Sequence, residues 1–262
     1  MRLSARMWPA LMLAAMVIAA WPVWRWYALR LTDGSDEPWG VLALATLAAL
    51  ARRNGEALPT HERHFVWPAA LLAVYAATFP IAPPLGRAVV AASAFGALLL
   101  RGRGATGLWG LLALSLPVVA TLQFYLGYPL RLLAAEASAV ALRGCGFAVT
   151  REGLLLHSGG ESVMVDAPCS GIQMLWCGFY LAFGLAAYHR LSLKRTTLCA
   201  GATLVIVIFA NLIRATVLFF KEARIVAAPE WTHAGTGLAM FAAAAWLVAS
   251  LAQKLQPSPC AE

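Results

Sequence analysis

Cys169 is a residue whose surroundings are suited to nucleophilic chemistry. It follows Asp166 and directly precedes the apolar run 170–188. Since aspartate caps helices well, we expect Asp166 to cap the run and Cys169 to lie at a helix N-terminus. The unpaired N–H groups and the helix dipole there favour a thiolate, the form that a nucleophilic cysteine needs. The alternative, a small apolar residue in a membrane helix, is our interpretation of Cys177 and Cys199.

Arg214 is a basic residue inside an apolar run, 197–220. It lies about six residues from the end of the run, or roughly 9 Å at the helical rise. A charge there costs at least ~2.5 kcal/mol on insertion scales, so such residues usually face a polar cavity. Asn211 is one helical turn away, and we expect it to hold the guanidinium. The alternative is that Arg214 snorkels to the membrane surface as an anchor.

His233 lies in the first turn of the last apolar run, 231–252. Its imidazole can act as a general base or acid near neutral pH. Gly235 and Gly237 follow it and allow another chain segment to approach closely. Taken alone, a histidine at this position is more often an ordinary solvated side chain.

The composition indicates that these residues belong to a membrane protein. Of 262 residues, 61% are hydrophobic and 12% are charged, against about 25% charged in soluble domains. The mean hydropathy of +0.72 agrees, and we expect a single integral membrane domain over residues 1–262. A pI near 9.7 does not indicate nucleic acid, because the basic residues stand singly or in pairs between apolar runs.

The apolar runs predict an all-α polytopic protein with about eight transmembrane helices. The predicted spans are 7–24, 39–51, 65–83, 85–100, 105–122, 170–188, 197–220 and 231–252. A spanning helix needs about 20 apolar residues. Run 39–51 is short, but omitting it would place Arg2 and Arg6 outside, against the positive-inside rule. Both termini are then cytoplasmic. The first run has no clear cleavage site, so we expect an uncleaved anchor.

Residues 130–168 form an insertion that we expect outside the cytoplasm. Its first part, 130–143, is predicted to be a surface helix. Three short strand-like runs follow, separated by glycine-containing turns, and they predict a small β-hairpin cap. The runs are 147–150, 154–157 and 162–165. The last strand leads directly into the segment that carries Cys169.

The predicted topology brings the three candidate residues to one side of the membrane. It was built from charges and apolar runs alone, yet it places Cys169, Arg214 and His233 toward the outer leaflet. A nucleophile, a cation and a base on one face are what acyl transfer needs. Ser170 and Asp166 are candidate supporting groups. The cysteine spacing indicates neither a zinc site nor a disulfide framework, and we expect no metal or cofactor.

An ordered set of motifs resembles the exosortase/archaeosortase family. The set consists of Asp166-Ala167-Pro168-Cys169-Ser170-Gly171-Ile172, then Asn211 and Arg214, then His233 near a final span. The earlier segments Tyr128–Arg131 and Asp36–Gly40 are similar to that family as well. The resemblance covers most of the chain.

This resemblance implies a cysteine-dependent protease or transpeptidase with Cys169, Arg214 and His233 as catalytic residues. Its partners would be membrane-anchored proteins with a C-terminal sorting signal: a short PEP-type motif, a spanning helix and a basic cluster. Cleavage would occur at the outer face of a bacterial inner membrane, often in connection with exopolysaccharide. Two alternatives remain open, a transporter that uses Arg214 as an anion site and a non-catalytic scaffold for exopolysaccharide assembly. The first predicts inverted repeats, which the sequence does not show.

Overall fold

The computed structural model describes residues 7–32, 39–56, 58–59, 61–102 and 104–256. Arg2, Arg6 and the segment 36–38, which entered the sequence analysis, lie outside the described residues, as do both chain ends. The described part is mostly helical, with ten α-helices and one three-stranded sheet. The chain divides into two compact units. Unit 1 comprises 1–118, 183–196 and 256–262, and unit 2 comprises 119–182 and 197–255.

Unit 1 contains six helices of 10 to 16 residues. They are α1 (Met7–Ala19), α2 (Trp21–Arg30), α3 (Trp39–Asn54), α4 (Val66–Thr78), α5 (Pro84–Leu99) and α6 (Ala105–Leu114). A 3₁₀ turn, Glu62–His64, precedes α4. The helices pack closely where small residues meet. A Cβ on Gly107 would lie 2.4 Å from the backbone nitrogen of Ala187, so only glycine fits there.

Unit 2 contains the remaining secondary structure. It holds α7 (Val119–Gly144), the strands β1 (Thr150–Glu152), β2 (Leu155–Ser158) and β3 (Glu161–Met164), most of α8 (Ile172–Tyr188) and of α9 (Leu193–Glu222), and α10 (Thr232–Lys254). The three strands form an antiparallel sheet in the order β1-β2-β3. This confirms a small cap of three strands, but β1 shares only Thr150 with the predicted run 147–150. Arg151 and Glu152, which were expected in a turn, belong to β1.

The core of unit 2 fastens the sheet to two helices. On α7, buried residues recur at helical spacing, namely Ala134, Ala135, Ala139 and Leu142. They meet Leu156 and Val165 from the sheet region and Phe219 from α9 in one hydrophobic cluster. Cys169 packs against the edge of this cluster. The sheet thus packs against the C-terminal parts of α7 and α9, and this packing fixes the position of β3.

Two predicted spans are interrupted in the structure. The run 105–122 is divided because α6 ends at Leu114 and α7 begins at Val119. Pro117 lies between them, and proline offers no backbone N–H and disfavours helix in the residue before it. The run 7–24 contains a 55° bend between α1 and α2, with Pro22 in the first turn of α2. The predicted surface helix 130–143 is the second half of the continuous helix α7.

The structure does not confirm eight transmembrane helices. By length and composition, α9 and α10 can each cross a membrane. The number rises to four if each helix pair joined by a bend counts as one span, while α4, α5 and α8 are shorter apolar helices. The supported description is a mostly helical protein with two to four candidate spans and one small sheet. The count from hydropathy was higher because it included α3, α4, α5 and α8, which have 13 to 17 residues, against about 20 for a spanning helix.

Candidate functional site

Cys169 lies in a tight turn before α8 rather than in the first turn of that helix. The residues Ala167–Ser170 form a 3₁₀ turn, and Gly171 follows in the left-handed region at φ 74°. The Cys169 N–H donates a 2.9 Å hydrogen bond to the Asp166 carbonyl oxygen. The Asp166 side chain makes no capping hydrogen bond, so the predicted cap was wrong. Cys169 is half-buried in this turn.

The electrostatic environment of Cys169 differs from the prediction. Burial raises the pKa of the Cys169 thiol above its ordinary value, and the Asp166 and Glu222 charges add to this. The positive charge of Arg214 and the hydrogen bond to Asp166 lower that pKa without overcoming the burial. The lowered pKa that we expected from a helix dipole is therefore not found for Cys169. A neutral thiol needs a proton acceptor before it can attack, because the thiolate is the nucleophilic form.

Asn211 holds the Cys169 turn in place. The Asn211 Nδ2 donates a 2.8 Å hydrogen bond to the Cys169 carbonyl oxygen. Its Oδ1 is buried and accepts no hydrogen bond within the described residues, so the prediction that it holds the Arg214 guanidinium was wrong. A Cβ at position 171 would lie 2.7 Å from the Asn211 Cγ. Gly171 is thus needed for both its positive φ and this close approach.

Arg214 contacts His233, and this contact indicates which tautomer the neutral imidazole adopts. The Arg214 Nη2 lies 3.2 Å from the His233 Nε2. A guanidinium has no acceptor, so Nε2 must accept and the proton of a neutral imidazole resides on Nδ1. Gly237 lies one turn further along α10, where an added Cβ would be 3.3 Å from the Arg214 Nε. The predicted role of Gly237 in a close approach therefore applies to the guanidinium.

A cavity of about 250 Å³ connects Cys169 and His233. Its walls come from β3 and the segment after it, from the end of α9 and from the start of α10. The lining includes Met164, Asp166, Cys169, Phe219, Glu222 and His233. The carboxylates of Asp166 and Glu222 are exposed. The cavity thus places a thiol and an imidazole around a space large enough for a short stretch of peptide.

Ser170 has a structural place beside the site. Its hydroxyl donates a 3.0 Å hydrogen bond to the Gln123 Oε1 on α7, and the Ile172 N–H donates to the Ser170 Oγ at 3.4 Å. Ser170 therefore ties the turn to α7 and to the start of α8. Gln123 was missed by the sequence analysis. The available signal was an amide in an otherwise apolar run, since polar side chains in such runs usually face the protein interior.

The structure therefore brings four of the six predicted site residues into one group. We call Cys169, Asn211, Arg214 and His233 the site cluster. Asn211 binds the Cys169 backbone, Arg214 binds His233, and Cys169 and His233 line the same cavity. Asp166 lines that cavity too, while Ser170 bonds to α7.

Comparison with known proteins adds one finding. A family model described as transmembrane exosortase matches residues 8–250. The matched range contains the whole site cluster, the sheet and eight of the ten helices in full, and it covers all but the first residue of α1 and the last four residues of α10. No curated protein and no solved structure matches the chain.

Proposed function

Because this chain belongs to the transmembrane exosortase family, we propose that it is a cysteine-dependent protease or transpeptidase that cleaves C-terminal sorting signals of membrane-anchored proteins. The observation that supports this proposal best is the shared cavity of Cys169 and His233, with Arg214 bonded to His233. The expected substrate carries a short PEP-type motif, a spanning helix and a basic cluster.

Cys169 acts as the nucleophile in this proposal, and His233 transfers its proton. The Cys169 thiol gives its proton to the His233 Nε2 as the sulfur attacks the scissile carbonyl carbon. A tetrahedral oxyanion forms and then collapses as the C–N bond breaks. The leaving nitrogen takes the proton from His233, and a thioester remains on Cys169. Water or an amine then attacks the thioester and releases Cys169 as a thiol.

Arg214 changes its hydrogen-bond partner during this reaction. In the free protein its Nη2 occupies the His233 lone pair that the proton acceptor needs. As the oxyanion develops, the guanidinium turns from His233 to this charge, which frees Nε2 for the Cys169 proton. A planar guanidinium suits both positions because it can donate along two parallel N–H vectors. A hydrogen-bond donor stabilises the oxyanion more here than in water, because the site is partly shielded from solvent.

The protein is a membrane protein, and its membrane topology belongs to the proposal. We place it in a bacterial inner membrane with both termini in the cytoplasm and the site cluster on the outer face. Membrane-impermeant cysteine labelling in intact cells tests this topology. A cysteine introduced in the loop between α8 and α9, at 190–192, is expected to stay unlabelled, while one introduced at an exposed position of the sheet is labelled. Labelling of the loop from outside would contradict the topology.

The activity is tested with a reporter protein that ends in a C-terminal sorting signal and is expressed with this protein. Cleavage is followed by the loss of the C-terminal helix on a gel. Wild type is expected to process the reporter, and Cys169→Ala and Cys169→Ser are expected to leave it intact at equal membrane levels. Cys145→Ala is the matched control, because Cys145 is an exposed free thiol in the same unit.

The remaining cysteines extend this control. Cys177→Ala, Cys199→Ala and Cys260→Ala are each expected to retain processing. Processing by Cys169→Ala at the wild-type rate would remove the enzyme hypothesis.

A further inference from the structure

The strand β3 is an edge strand that leads directly to Cys169. The sheet order is β1-β2-β3, so β2 is the ladder partner of β3 within the described residues. Edge strands present a row of backbone N–H and C=O groups that can pair with another chain. Four residues, 165–168, connect the end of β3 to Cys169. A chain bound to this edge would therefore lie beside the thiol.

The register of the sheet shows which backbone groups face outward. The Val165 N–H donates a 3.0 Å hydrogen bond to the Leu154 carbonyl oxygen, so this pair is hydrogen-bonded across the strands. Hydrogen-bonded and non-hydrogen-bonded pairs alternate along an antiparallel ladder. Val163 therefore also bonds to β2, opposite Leu156. Ser162 and Met164 have the opposite parity, and their N–H and C=O groups point away from β2.

The outward edge of β3 borders the cavity of the site. Residues 162–165 all contribute to the cavity lining together with Cys169 and His233. The side chains of Val163 and Val165 contribute to the core of unit 2, while Met164 is 56% exposed. The core thus holds the strand rigidly from one face and leaves its edge accessible from the cavity. The end of α9, through Leu218 and Phe219, forms an apolar wall of the same cavity.

We propose that an extended segment of the substrate polypeptide binds as a fourth strand on the outward edge of β3, which aligns the scissile peptide bond with Cys169; this inference rests on the function proposed above. Strand addition supplies affinity through main-chain hydrogen bonds, and alternate side chains supply selectivity. The backbone groups of Ser162 and Met164 are the ones that pair with the substrate. A motif with prolines at alternate positions fits this mode, because both missing N–H groups lie on the same side and can face away from β3.

Disulfide cross-linking tests the geometry independently of processing. The protein carries Cys169→Ala and Cys145→Ala together with Met164→Cys or Ser162→Cys. The reporter carries a single cysteine that is moved through its sorting motif and the residues before it. Side chains directly opposite on paired strands have Cβ atoms about 4.5–5.5 Å apart, near the distance that a disulfide spans. Cross-linking by Met164→Cys is expected at every second reporter position, and the maximum is expected to shift by two positions with Ser162→Cys.

The matched control is Val163→Cys, whose side chain lies on the other face of the strand, so its cross-links should fall at the reporter positions between those of Met164→Cys. Uniform cross-linking, or none at position 164 while the reporter remains bound in the membrane, would overturn strand addition. Neither outcome depends on whether Cys169 is catalytic, because that residue is absent from these variants.

A proline substitution tests the backbone pairing itself. Met164→Pro removes one outward N–H and leaves the ladder bonds to β2, whereas Met164→Ala keeps the N–H and removes the side chain. We expect processing about tenfold lower in Met164→Pro than in Met164→Ala, the scale of one hydrogen bond, because both variants lose the side chain and only the proline variant loses the N–H. Iodoacetamide alkylation of Cys169 is expected to be unchanged in both, which reports an intact site. Equal processing by the two variants would overturn the pairing, while processing by Cys169→Ala would instead overturn the enzyme hypothesis.

Discussion

Two polar regions of the chain contain an arginine near a histidine, and they use it differently. In unit 1, the Arg101 side chain donates to the carbonyl oxygens of Ala97 and His64 at 2.9–3.0 Å. The Glu56 carboxylate accepts hydrogen bonds from the N–H groups of Arg101 and Gly102. We call these residues the loop cluster. In the site cluster of unit 2, Arg214 donates to the side chain of His233.

The difference lies in what each arginine satisfies. The loop cluster closes the C-terminal end of α5, where carbonyl groups have no partner within the helix. The Arg101 guanidinium therefore donates hydrogen bonds to backbone carbonyl oxygens. Arg214 lies within α9, where the backbone carbonyl groups accept hydrogen bonds inside the helix. Its hydrogen bond goes instead to the side chain of His233. A half-buried cation that bonds to a titratable side chain rather than to a helix end indicates a functional position more strongly than its depth alone.

The sharpest test of this comparison is the removal of each guanidinium. Arg214→Ala is expected to lower reporter processing about 10²–10³-fold, the usual effect of losing an oxyanion donor. Its membrane level should match wild type. Arg101→Ala is expected to lower the membrane level instead, with normal processing per molecule. Quantitative immunoblots and reporter cleavage measure the two quantities, and the opposite pattern would reverse our assignment of the two clusters.

A charge-conserving change at Arg214 separates catalysis from anchoring. Arg214→Lys is expected to be strongly impaired at normal membrane level, because lysine keeps the charge but cannot present the planar pair of donors. If Arg214 only snorkels to the membrane surface, lysine replaces it equally well. Cleavage rates at matched protein levels decide the matter. A fully active Arg214→Lys would leave this residue as an anchor.

Asn211 is a positioning residue, and its loss should have a smaller effect. Asn211→Ala removes one hydrogen bond to the Cys169 carbonyl oxygen, and we expect about tenfold slower processing. Asn211→Asp should be impaired at least as much, because a carboxylate cannot donate and would face that carbonyl. Asn54→Ala in unit 1, which removes a hydrogen bond to the Ala187 carbonyl oxygen, is the matched control. Equal effects of Asn211→Ala and Asn54→Ala on processing per molecule would contradict a specific role for Asn211.

The smallest expected effect is a shift in the pH dependence of Cys169 alkylation. Burial raises the pKa of Cys169, so the reactive thiolate appears only at a higher pH than for an ordinary thiol. Arg214→Ala removes a charge that lowers this pKa, and iodoacetamide alkylation should slow further near neutral pH. Glu222→Gln removes a charge that raises the pKa and should have the opposite effect. Rate profiles that do not move in opposite directions would show that the two charges do not act on Cys169.

The sequence predicted the elements of unit 2 well and their boundaries less well. Three strands form as predicted in number, with the first shifted by three residues. The run 197–220 lies within α9, and the run 231–252 lies within α10 except for Trp231. These features follow from local patterns of apolar and turn residues. The predicted span 105–122 is not one continuous helix. Hydropathy is averaged across Pro117, whereas a proline in a helix interior interrupts the helix. The span count of eight is not confirmed because four of the predicted spans correspond to helices of only 13 to 17 residues.

The types of the candidate residues and the membrane class follow from the sequence by itself. The cost of burying a charge depends on the residue type, and the length of an apolar run depends on the order of residues along the chain. The chemical state of the site was decided by the tertiary structure. Asn211 meets the Cys169 carbonyl across 42 residues, and Arg214 meets His233 across 19. From local spacing, Asn211 was expected beside Arg214, and Cys169 was expected in a helix. In the structure Cys169 instead lies half-buried in a 3₁₀ turn that ends at the left-handed Gly171. Hydrogen-bond partners and burial arise only when distant segments pack, so the raised thiol pKa, the imidazole tautomer and the open edge of β3 required the fold.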